Sequence, residues 1–117
     1  MTQAQPICVT VDCDALEEHH AVWGLPAPAA RDAQRFWLEK MTAAHAFLQE
    51  RNMPATFFIV GSRVPGNEGI AALRTLAACH EIGNHTWSHL WDLSRMDQGS
   101  VRAELARNHD FLANAGA

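Results

Sequence analysis

Apolar residues along this chain follow two alternating periods, and the alternation predicts its elements. Ile7–Val11 is short, apolar and rich in β-branched residues, and it ends at Asp12, so it reads as a buried strand. Ala55–Val60 is a second such run, opened by Pro54 and closed by Gly61, as a strand bounded by chain breakers should be. Glu81–Asn84 is a third and shorter candidate, recognised chiefly by its place between two helical patterns. Between these runs the period becomes helical. Trp37, Met41, Ala44 and Leu48 share one face, which predicts a helix over Asp32–Arg51. Ile70, Leu73 and Ala77 predict another over Glu68–Cys79, and Val101, Leu105 and Leu112 a last one ending near Gly116. Ser94 and Asp97 have the spacing of a capping box, in which hydroxyl and carboxylate satisfy orphan backbone N–H groups. That places the start of the last helix there, with Gly99 as a weak spot. Residues Ala15–Ala30 fit no period and contain Gly24, Pro26 and Pro28, which predicts a long loop of the kind that is usually functional.

Strand, helix, strand, helix, strand, helix is the order of an α/β protein with parallel strands joined by right-handed crossovers. At 117 residues the chain has room for one domain. Hydrophobic residues make up 48% and charged residues 19%, which suits a folded globule and excludes a disordered chain. Nine basic and thirteen acidic side chains give a net charge of -4 with no long run of either sign, so nucleic acid is not an expected partner. Met1–Thr10 lacks the basic and apolar regions of a signal peptide, and no stretch has the apolar length of a membrane span. The expected location is therefore the cytoplasm. Cys8, Cys13 and Cys79 are odd in number and form no C-x-x-C pair, so three buried, reduced thiols are expected rather than a disulfide framework.

Two short patterns carry chemistry. Successive strand side chains point to opposite faces, so Asp12 and Asp14 share a side and Cys13 takes the other. Their backbones then sit about 7 Å apart, from a rise of roughly 3.3 Å per residue. One carboxylate can ligate a metal while its neighbour handles a proton, although an isolated D-x-D also serves as a turn or helix cap. His85 and His89 follow the third strand as H-x-x-x-H. On a helical turn this spacing puts both imidazoles on one face, where they hold a divalent ion or are simply solvated. Both patterns stand at carboxyl ends of strands, where parallel α/β folds carry their sites. One carboxylate with two neutral imidazoles leaves positions open, as in a catalytic site. Zinc is the default, and cobalt, nickel, manganese or iron also fit that donor set.

The blocks VTVDCDA (Val9–Ala15), ATFFIVG (Ala55–Gly61) and GNHTWSH (Gly83–His89) together resemble the polysaccharide deacetylase (NodB-homology) family. The resemblance implies that Asp12 is the catalytic base and that Asp14, His85 and His89 bind the metal. It implies hydrolysis of an N-acetyl or related amide, and a distorted (β/α) barrel of which this chain forms the N-terminal portion. Thr86 is then structural, bracing the loop between the histidines. Cys13 between the aspartates departs from the usual adjacent pair and resembles a branch that includes cyclic amide and imide hydrolases and some peptidoglycan deacetylases. The expected substrates are accordingly an N-acylated sugar or a small amide or imide. The later family motifs, including the general acid, have no counterpart here, and His109 lies in a helical pattern that does not suit the role. A three-strand unit leaves a sheet edge unpaired, so self-association or pairing with a complementing chain is expected. A non-catalytic metal-binding or assembly module is the alternative reading.

Other residues carry blander expectations. His19 and His20 are expected to be solvated, and His45 and His80 to be ordinary surface or core histidines. Trp87 and Trp91 flank His89 and could wall a sugar ring, but are expected to pack the loop down, while Trp23 is a candidate to face substrate. Arg63, after the second strand, could meet an anionic group, but is expected to face solvent.

Overall fold

The computed structural model describes residues 4–117. Residues 1–3, the start of the segment read above for a signal peptide, lie outside them. The elements are β1 (Thr10–Cys13), α1 (Leu16–Val22), α2 (Ala30–Glu50), β2 (Thr56–Ile59), α3 (Gly66–Ala77), β3 (Glu81–Asn84) and α4 (Gln98–Ala115), with short 3-10 turns at Gly61–Arg63 and Leu93–Arg95. The sheet runs β1-β2-β3 with both pairings parallel, and Val11, Phe57 and Ile82 lie in register across it. The order is the expected βαβαβα with one further helix, α1, between β1 and α2.

The core forms where the helices cover the central strand. Phe57 and Ile59 of β2 are fully enclosed, flanked by Cys13 of β1 and covered by Trp37, Met41 and Leu48 of α2, Leu73 and Leu76 of α3, and Leu112 and Ala115 of α4. Each large apolar side chain so buried contributes about 1.5–3 kcal/mol. His80, at the turn from α3 into β3, is with Asn108 of α4 one of two polar side chains buried among these apolar groups in the described residues. It is 8% exposed, its Nδ1 accepts from the Ala55 N–H at 3.2 Å, and its Nε2 faces His45 Nδ1 at 3.1 Å. An Nδ1 that accepts leaves the proton on Nε2, so the ring is neutral and donates to His45. Burial lowers its pKa from the ordinary 6.5, and His45 lowers it further.

Four expectations about elements are corrected. Strand β1 starts three residues later than the apolar run, and Ile7 is 86% exposed, because the ladder to β2 begins only where Thr56 N donates to Val9 O. The presumed long loop contains α1. That helix buries no residue and so leaves no periodic signal. It is started by Glu18, whose carboxylate accepts the Ala15 N–H at 2.8 Å, and by acidic residues in its first turn that complement the helix dipole. The cap of α4 is Asp97 itself, accepting from Ser100 N at 2.9 Å, while Ser94 sits in the preceding 3-10 turn. The thiols are all free, but Cys8 and Cys79 are exposed and only Cys13 is buried. The C-terminal stop holds: Gly116 takes φ 80°, the left-handed conformation that ends a helix.

Candidate metal centre

Asp12 and Asp14 flank the buried Cys13 as the strand alternation requires. Asp12 is exposed, and Asp14, one residue past β1, is half-buried. Burial, with the charges of Asp12 and Asp14 adding to it, pushes the Cys13 thiol up to about 12. Its Sγ makes a contact of 3.6 Å with Val11 O, so it faces the core and not the site.

The two histidines arrive differently from expectation. Strand β3 stops at Asn84, and His85 donates its N–H to Ile59 O at 3.1 Å. The next residues are not helical. Thr86 and His89 both take the left-handed conformation, at φ 64° and 54°, so a tight loop and not a helical turn brings the imidazoles together. Asn84 Oδ1 accepts the Thr86 N–H at 2.9 Å, and Thr86 Oγ1 accepts the His89 N–H at 3.0 Å. Thr86 therefore braces the loop as expected. Helix α4 holds it from the far side: Glu104 accepts both the Ser88 N–H (2.8 Å) and its hydroxyl (3.0 Å). Asn108, fully buried, donates to Ile59 O at 2.8 Å and Asn84 Oδ1 at 2.9 Å. Trp87 packs edge-on against Phe111, beneath the Arg107 guanidinium. Trp91, by contrast, is 86% exposed.

The outcome is convergence. Nε2 of His85 and Nε2 of His89 lie 3.2 and 3.1 Å from the same Asp14 Oδ1, with side chains about 30% exposed. One donor atom from each of the three residues falls within 4.8 Å of the others, the one such group of acidic, histidine or cysteine side chains among the described residues. Bonds of about 2.1 Å to a central ion put adjacent donors about 3.0 Å apart in an octahedron and about 3.4 Å apart in a tetrahedron. Both separations to Asp14 Oδ1 lie between these values, so this donor set, partly exposed to solvent, suits a small divalent cation.

Several residues that shape the site carried no sequence expectation. Asn84 sits inside the GNHTWSH block, and its neighbours drew the attention. Asn108 falls on the apolar stripe of the last helix, between Leu105 and Leu112, and a polar residue there is the legible sign of a buried polar partner. Leu105, assigned to that stripe, is 42% exposed. Arg63 does not face solvent: its Nε donates to Glu18 Oε1 at 2.7 Å, and its Nη1 lies 3.6 Å from Glu17 Oε1. His20 is tied to Pro26 O at 2.7 Å and His19 is exposed. Trp23 is 77% exposed in the loop after α1, and His109 is exposed on α4.

Known proteins resemble this arrangement. A chitooligosaccharide deacetylase of Bradyrhizobium sp. is 40% identical over 58 residues, covering 50% of this chain and 26% of that protein. Chitin deacetylase 1 of Cryptococcus neoformans is 44% identical over 59 residues, covering 50% and 12%. The chain thus spans about a quarter or less of these curated relatives. A family 4 acetyl xylan esterase from Clostridium thermocellum, solved in complex with a cobalt ion, superimposes with a TM-score of 0.64 and 26% identity over 94% of this chain and 43% of its own. The α/β fold is therefore part of a deacetylase-type barrel. The sequence pattern of the polysaccharide deacetylase family matches residues 35–117. Because that pattern runs through both histidine positions and on through α4, over well more than half of the sequence, the chain belongs to the polysaccharide deacetylase family.

Proposed function

We propose that this chain is the N-terminal, metal-holding portion of a carbohydrate deacetylase, a hydrolase that removes acyl groups from amide nitrogen on a sugar. The observation that carries the reading is the convergence of Asp14, His85 and His89 on one point in a chain of this family. These three residues would hold the ion. The cobalt in the esterase neighbour supports a divalent metal, and zinc is the preferred candidate on donor type. When bound, such an ion polarises a carbonyl and acidifies water.

The chain's own residues do the rest. Asp12, exposed and on the same strand face as Asp14, takes the proton of the attacking water. Water oxygen bonds to the acyl carbon, the C–N bond breaks, and carboxylic acid and amine are released. In this reading the proton for the leaving amine comes from another part of the barrel, since the esterase neighbour is more than twice as long as the stretch matched here. A smaller cyclic amide or imide would pass through the same steps.

A second reading has its own observation. Among the described residues strands β1 and β3 each pair only with β2, so each has an unpartnered edge there that a second copy or a complementing chain would cover. That reading makes the chain an assembly module that binds metal without turnover.

Metal analysis tests the assignment. Purified protein equilibrated with zinc should carry about one ion per chain, and the Asp14→Ala/His85→Ala variant almost none. Equal metal content in both would sink the site. Release of acetate from N-acetylated chitooligosaccharides, abolished by Asp12→Asn with metal retained, separates hydrolase from module.

A further inference from the structure

A groove leads away from His89, and the steps above do not use it. It runs between α1 and the loop carrying His89, over the turn that follows β2, and has a volume of about 500 Å³. One wall is apolar and uncovered: Val22 is 80% exposed and Trp91 86%. The floor is ionic. Arg63 lies between Glu18 and Glu17, so one positive charge meets two negative ones and the floor is net negative. The Glu17 side chain is 31% exposed and its Oε2 has no hydrogen-bond partner among the described residues, so the carboxylate keeps an acceptor free for a donor that it turns to meet. His89 and Ser88 close the end nearest the metal centre.

An exposed indole and an unpaired carboxylate oxygen lining one groove fit a ligand with one apolar face and hydrogen-bond donors on its rim. A pyranose ring has that form: its C–H face lies against an aromatic ring while its hydroxyl or amino groups donate. Resting on the deacetylase reading, we infer that this groove seats the sugar next to the acylated one and that its negative floor selects neutral or ammonium-bearing sugars over carboxylate-bearing ones. Trp91 is the stacking surface and Glu17 the acceptor that sets the charge preference. Glu18 stays with Arg63 and the Ala15 N–H, holding the floor in place.

Calorimetric titration of the zinc-loaded chain with tetramers of glucosamine, N-acetylglucosamine and galacturonic acid tests this. The glucosamine and N-acetylglucosamine tetramers should bind at least about tenfold more tightly than the galacturonate, as expected when a carboxylate meets net negative charge in a partly shielded groove. Glu17→Gln should reduce that ratio about threefold or more, and Trp91→Ala should weaken both favoured ligands about fivefold, each with zinc content unchanged. Equal or tighter binding of galacturonate would overturn the inference. So would a Trp91→Ala variant with unaltered affinities, or zinc-loaded protein that binds none of the three. Protein that takes up no zinc yet keeps this ranking would support the groove and remove the metal assignment, so the two failures are distinct.

Discussion

Asn108→Asp is nearly isosteric, yet it should be among the most damaging single changes in this fold. The amide is fully buried and uses both hydrogens, one on Ile59 O and one on Asn84 Oδ1. Neither acceptor could donate in return, since one is a carbonyl and the other already takes the Thr86 N–H. The native Oδ1 has no partner at all. A carboxylate at this point loses two hydrogen bonds, about 1 kcal/mol each, and leaves an unpaired charge enclosed among oxygens. The total should be about 3–5 kcal/mol at neutral pH. Protonation returns one donor, so the folded state binds the proton more tightly than the unfolded state does and the new carboxyl titrates above the usual value of about 3.9. The deficit relative to wild type is therefore smallest in acid and grows as pH rises through the folded pKa. Asn108→Leu removes the same bonds without the charge and should cost about 1–3 kcal/mol with no such pH dependence. Urea denaturation followed by circular dichroism at pH 5 and 7.5, with wild type subtracted at each pH, reads all three proteins. A loss below about 1 kcal/mol for Asn108→Asp at pH 7.5, or one equal to that of Asn108→Leu at both pH values, would refute the argument.

Gly61→Ala puts a methyl against Asn108 Oδ1 and within 2.9 Å of the Trp87 ring; it should cost about 1–3 kcal/mol and, by displacing the His85–His89 loop, shrink the rise in melting temperature that zinc produces. A thiol reagent at pH 8 should label exposed Cys8 and Cys79 rapidly and reach Cys13, whose pKa is pushed up to about 12, only on unfolding; fast labelling of all three thiols would contradict its burial. His80 is held neutral with its pKa lowered from 6.5, chiefly by burial, so its contribution to stability is complete above pH 6.5 and is lost as pH falls from there through the lower folded value. His80→Asn, which offers an acceptor to Ala55 N–H, should flatten the stability profile between pH 7 and 5 relative to wild type, as urea midpoints across that range will show.

Much of the architecture was legible because burial leaves a period. Helix α2 shows its apolar face in Trp37, Met41 and Leu48, and β2 sits between Pro54 and Gly61, so both could be placed to within a residue or two. Helix α1 could not, because it buries nothing and depends on one carboxylate reaching back to a backbone N–H. The site divides in the same way. Asp14, His85 and His89 could be named from spacing and resemblance, but the loop that unites the histidines rests on φ values and on contacts from α4, which lies distant in sequence. Residue type alone also misplaced Arg63 and two of the three thiols, since neither long-range ion pairing nor the solvent access of Cys8 before β1 and Cys79 after α3 has a local signature.

The left-handed turn at Thr86 and His89 has a kinetic corollary. Its shape is held by backbone N–H groups donating to the side chains of Asn84, Thr86 and Glu104, with no ion involved, and a β-branched residue keeps an uncommon backbone conformation there because its surroundings over-determine it. The donors are gathered during folding, before any cation arrives. Uptake should then be governed by how fast a hydrated ion sheds its water and not by chain rearrangement, and one ion should replace another without unfolding the loop. Resident metal would follow which cations the surroundings supply, and growth or purification conditions would become a determinant of which ion the three residues hold.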